Sequence, residues 1–160
     1  MKLEFKGMEK LMRNLNYEIR QIENRTHSGL LKAAIILQNE AEPGTPVDTS
    51  NLRHSWFTVS HKSTQNQAPV KGGFKGPNAS EMAANHSKTV SAASSAVRSV
   101  ANDSRPVVLL GYTANYAAKV HESVDTKFHR PGAHARWLYL AMQTAQSKML
   151  EAIRKDAEIK

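Results

Sequence analysis

The chain has 160 residues, and its 22 Lys and Arg against 14 Asp and Glu give a formal charge of +8, a length that fits one domain or one domain with an arm. Hydrophobic residues make up 40% and aromatics 6%, so the core is modest and the fold is expected to lean on neighbouring subunits. Cysteine is absent, which excludes a disulfide framework, a thiolate zinc site, an iron–sulfur cluster and cysteine catalysis.

The first predicted element is a helix. Met8, Leu11, Met12, Leu15, Ile19 and Ile22 recur at three- and four-residue steps, a stripe expected to face a core. The pattern falters at Thr26-His27-Ser28-Gly29 and resumes with Leu30, Leu31, Ala34, Ile35 and Leu37. Either one long helix runs through a weak point, or Thr26 or Ser28 caps a second one. Pro43-Gly44 ends the helix, and Pro46 confirms the stop. Trp56 to Val59 has strand composition, predicting a strand over about 53–61.

Residues 61–104 change character. Serine and alanine dominate, and Phe74 is the one aromatic. A turn-rich hinge, Lys71 to Pro77, precedes a thin helical stripe of Met82, Val90, Ala93, Val97 and Val100. Folding this segment would gain a free domain little, so it is expected to be an inserted arm, flexible alone and ordered by a partner. Pro106 to Tyr112 then reads as a short buried strand. Tyr116 to His121 reads as a short helix, Val124 to Pro131 as an exposed loop, and a last helix starts near His134. Leu138, Ala141, Met142, Ala145, Met149, Ala152 and Ile153 keep helical spacing along it. The expected class is α+β: long N- and C-terminal helices packed on a small, mostly antiparallel sheet, with residues 61–104 inserted.

The sequence offers little chemistry. His121, Glu122, Asp125, His129 and His134 are metal-ligating types, but their spacing matches no metal motif and reads as loop histidines. No serine sits in a nucleophile elbow, and Gly72-Gly73 with Gly76 lacks the phosphate-loop pattern. The positive charge is dispersed, without a Lys/Arg cluster or a basic run interleaved with aromatics, which describes a solvated surface. No apolar run approaches a membrane span. The first nine residues lack the apolar stretch of a signal peptide, so a soluble protein used without export is expected.

Three polar-aromatic clusters remain. The first runs from Thr45 to Trp56, with Pro46-Val47-Asp48-Thr49, Leu52-Arg53 and Ser55, and forms a helix-to-strand corner in which Pro46 fixes the exit. There Arg53 is expected to pair with Asp48 or with a neighbour's carboxylate. The second cluster runs from Tyr112 to Glu122 and contains Tyr116-Ala117 and Val120-His121-Glu122. The third runs from Pro131 to Met142, leading from Gly132-Ala133 through Arg136 to Trp137-Leu138 and Ala141.

In this order and spacing, behind a long amphipathic helix, the clusters resemble the neck and tail-completion proteins of long-tailed bacteriophages. The resemblance covers roughly residues 8–60 and 105–155. Related sequences usually carry glycine where this chain has Ser50, often glycine where it has Ser123, and commonly proline where it has Leu140.

The resemblance implies a structural ring subunit of the virion head–tail junction, assembled in the host cytoplasm, that is no enzyme and holds no cofactor or metal. It implies a homo-oligomer, with a hexamer favoured and a dodecamer allowed. Implied partners are a head-completion or adaptor protein and a tail terminator or tail tube protein, with DNA passing through unread and no membrane. Pro46, Asp48, Thr49, Leu52, Arg53, Trp56, Tyr116, His121, Glu122, Gly132, Arg136 and Trp137 become structural or interface candidates. Two other readings stand beside it: a basic nucleic-acid-binding module using residues 61–104, and a metal-dependent hydrolase around His121, Glu122 and His129.

Overall fold

A computed structural model describes residues 8–48, 50–62, 73–101 and 105–158. In chain order the elements are α1 (Met8–Gly44), α2 (Asn51–His54), β1 (Trp56–Ser60), α3 (Ala79–Val100), β2 (Val108–Tyr112), α4 (Ala117–Glu122) and α5 (Trp137–Ala157). The α+β architecture expected from the sequence is present, with long first and last helices flanking a small antiparallel sheet and a helical insertion between its strands.

The helix α1 runs through the faltering stretch without a break. Thr26 Oγ1 donates back to the Ile22 carbonyl at 2.9 Å, a bond that leaves the helix intact. Gly29 is a point of close approach: a Cβ there would lie 2.8 Å from the Cα of Ile153. The interruption in the apolar pattern therefore marks the crossing with α5, not a helix boundary. Beyond the crossing, Ala33, Leu37 and Ala41 are buried on the same face. Thr45 closes the end, its N–H and Oγ1 both donating to the Ala41 carbonyl at 3.0 and 2.8 Å.

The N-terminal stripe departs from expectation. Residues 9–20 are exposed throughout, Leu11 at 63% and Leu15 at 51%. The cause is length. The helix α5 ends at Ala157, and its last turn is pinned by Asp156 to Ser28 Oγ at 2.8 Å and to Lys32 Nζ at 2.7 Å. Residues 9–20 extend past α5 as an exposed stalk of about 18 Å, at 1.5 Å per residue, while residues 21–27 are mostly half-covered and His27 is buried edge-on against His61 at 4.9 Å.

In the sheet, Trp56 pairs with Tyr112 and Ser60 with Val108, antiparallel. The strand begins at Trp56 rather than at residue 53, because residues 51–54 close a helical turn first. The first strand is buried along its length, whereas β2 is only half-buried and leaves Leu109 40% exposed, so the expected buried strand is corrected to a partly open one.

The inserted helix α3 is no free arm. Alternation along β1 turns Phe57 and Val59 to one face, where they form a buried cluster with Val90, Ala93 and Val97. Val100 continues the expected stripe but stays exposed. Before α3, Asn51 and Lys75 exchange two hydrogen bonds, Nδ2 to the Lys75 carbonyl at 2.9 Å and the Lys75 N–H to Oδ1 at 2.8 Å. His86 Nδ1 adds a 2.8 Å bond to Thr113 Oγ1. The segment folds because the sheet's second face supplies the apolar partner that its own composition lacks.

A corner where three sequence motifs meet

The three clusters are far apart in sequence and adjacent in space, around the C-terminal end of α1. Trp137 is their centre, 1% exposed and packed with Leu37, Ala41, Leu52, Ala114, Ala117 and Ala141. Its ring meets His121 edge-on at 4.8 Å and Tyr112 at 5.9 Å, and Tyr112 in turn meets Trp56 at 5.1 Å. Such edge-to-face pairs set relative orientation as well as burying area. The Thr45 hydroxyl spends its proton on Ala41, so the Tyr112 phenol donates to it at 3.1 Å. Burial pushes the Tyr112 pKa up, with the Thr45 bond working against it.

Ion pairs brace the corner from outside. Arg53 pairs with Glu42 in the last turns of α1, not with Asp48. Arg130 approaches the same carboxylate at 3.7 Å and donates through Nη1 to the carbonyls of Glu42 at 2.9 Å and Thr45 at 3.3 Å. Glu122 accepts from His121 Nδ1 at 2.6 Å and faces Arg136 Nε at 3.7 Å, while the Arg136 N–H donates to the His121 carbonyl at 2.7 Å. Arg53 and Glu122 therefore fix the corner within the chain.

The backbone requires special residues here. A Cβ on Gly44 would come within 2.7 Å of His134 Nε2 and 3.1 Å of Trp137 Cβ. Gly132 has a φ of 84°, which suits glycine in the turn beside Pro43. Ser50 has a φ of 68° and Arg136 one of 55°, left-handed conformations that tax a residue with a Cβ. Ser50 is the position where the resembling sequences usually carry glycine.

Pro46, Asp48, Leu52 and Tyr116 line an open, mostly apolar cavity of about 510 Å³, with Phe128 and His129 also in its lining. Burial first, then the Asp48 charge, raises the Tyr116 phenol pKa. Thr49 lies outside the described residues. Thr45 and Tyr112, which open the first two clusters, belong to the corner without being named interface candidates, and Glu42 and Arg130 belong to it from outside the three clusters. Glu42 and Arg130 carry no sequence signal as partners of Arg53, because that pairing is made in space.

Among the described residues no group of three or more His, Asp or Glu could hold a metal ion, so the loop acids and histidines near His121 do not converge. No helix of the described residues is long and apolar enough to cross a membrane. No family model, curated protein or solved structure matches the chain.

Proposed function

We propose that the chain is a structural subunit of the neck of a long-tailed bacteriophage, forming a homo-oligomeric ring that joins the head-completion complex to the tail and lets DNA pass. The observation that supports this most directly is the stalk of α1. A soluble subunit that worked alone would have little reason to hold Leu11, Met12, Leu15 and Ile19 in water on one helix face. A subunit that completes its core against copies of itself would.

The corner fits the same reading. Its ion pairs and ring contacts fix where α1 leaves the body, and so where the stalk points. The candidate residues then act by setting geometry, with no bond-breaking role, cofactor or metal. The partners are copies of the chain, a head-side adaptor and a tail-side terminator or tube protein, within the virion. A nucleic-acid module based on α3 has less support, because that helix carries Lys88 and Arg98 against Glu81 and spends its apolar stripe on the sheet.

The test is a joining assay. Phage lacking this chain should accumulate DNA-filled heads and separate tails, and adding the purified protein should restore joined, infectious particles. Joined particles forming normally without it would refute the proposal.

A further inference from the structure

The stalk and the body's last helix each leave an apolar surface uncovered. On α1, Leu15 and Ile19 continue the helix face that Gly29, Ala33 and Leu37 present toward α5 within the chain. The face already built to receive one α5 runs on for several turns after that α5 has ended. On α5, Met142, Met149, Leu150 and Ile153 form an apolar shoulder beside the buried side, enclosing a groove of about 350 Å³ rimmed by Gln143 and Gln146. Met142 is 49% and Leu150 59% exposed. The rim is uncharged, and Arg13 and Arg20 lie on the far side of the stalk from its apolar stripe, so neither element sets charge against the contact.

With Leu11, Met12, Leu15 and Ile19 between 42% and 63% exposed, and Met142 and Leu150 49% and 59% exposed, the two patches can supply the apolar part of a small interface, about 1,200 Å² in total at the low end for specific complexes. One such contact is marginal. A closed ring gives every copy two, one through its stalk and one through its shoulder.

We propose that residues 9–20 of α1 dock on the outer shoulder of α5 in a second copy of this chain, so that copies join head to tail. This rests on the ring reading and names its contact. The surfaces are different patches, so the contact is heterologous and can close by rotation.

The chain's lack of cysteine makes the test clean. Leu15→Cys and Leu150→Cys are prepared separately, mixed at assembling concentration and treated with a short bismaleimide. The expected product is a covalent dimer containing one chain of each variant. Ile19→Asp, at an exposed site, should lower the assembled mass to the 17.7 kDa monomer with unchanged helical circular dichroism. Cross-links formed only between Leu15→Cys chains would overturn the docking in favour of stalk-on-stalk pairing. A multimer that keeps its mass in Ile19→Asp and yields no mixed product would overturn it while leaving the ring intact. The unmodified chain remaining at monomer mass at every concentration would remove the ring reading as well.

Discussion

Val90→Ala separates an integrated α3 from a free arm by the sign of its effect. Val90 is 2% exposed and packs against Phe57 and Val59. Two methyl-sized groups leave the core, at about 0.8 kcal/mol each, and the space they vacate adds about 0.5–1 kcal/mol where the surroundings do not collapse. Alanine's better helix propensity returns about 0.5 kcal/mol. The net expectation is a loss of about 1.5–2 kcal/mol. In a free arm the packing terms vanish, and the substitution would be neutral or stabilising. Urea unfolding followed by tryptophan fluorescence is the assay, because Trp56 and Trp137 both lie outside α3 and report on the body. Protein concentration is held fixed, since assembly shifts apparent stability. An unchanged or raised midpoint would refute the packing of α3 on the sheet as an energetic fact.

Three further outcomes are expected. Gly29→Ala, which in an exposed helix would gain about 1 kcal/mol, should instead cost about 1–2 kcal/mol, because its Cβ meets the Ile153 backbone at the helix crossing; a higher melting temperature would contradict the close approach. Ser50→Gly should raise stability by about 0.5 kcal/mol, the relief of a left-handed residue less the added freedom of the unfolded chain, and a drop in melting temperature would count against the turn described. His27 and His86 both have pKa values lowered chiefly by burial, His27 further by His61 and Lys62. The unfolded chain therefore takes up protons first, so their contribution is complete above about pH 6.5 and declines as the pH falls from there toward the lowered folded values. The urea midpoint should be lower at pH 5.5 than at pH 7.5, and an equal or higher midpoint would show that neither imidazole is buried neutral.

Much of the fold was legible from periodicity and punctuation. Pro43-Gly44 did stop α1, the β-branched run after Pro106 did make a strand, and apolar residues at three- and four-residue steps did mark α5. The errors share one cause: periodicity shows which face is apolar but not what covers it. The stripe from Leu11 to Ile19 and the stripe from Val90 to Val97 look alike in sequence. The first stands in water and the second is buried, because α5 is too short to reach the one and β1 lies beneath the other. Gly29 misleads for a related reason, since a close helix crossing and a helix boundary both favour glycine. Of the corner, sequence order gave the three clusters and their aromatic anchors. It could not give Glu42 or Arg130 as partners of the Arg53 brace, because charged partners are chosen in space and Asp48 lies nearer along the chain.

Electron microscopy of the purified chain at assembling concentration tests the central claim most directly. The account predicts class averages of a closed ring with rotational symmetry, six-fold favoured, around an open centre. Uniform single subunits under conditions where the chain is folded and concentrated would contradict it.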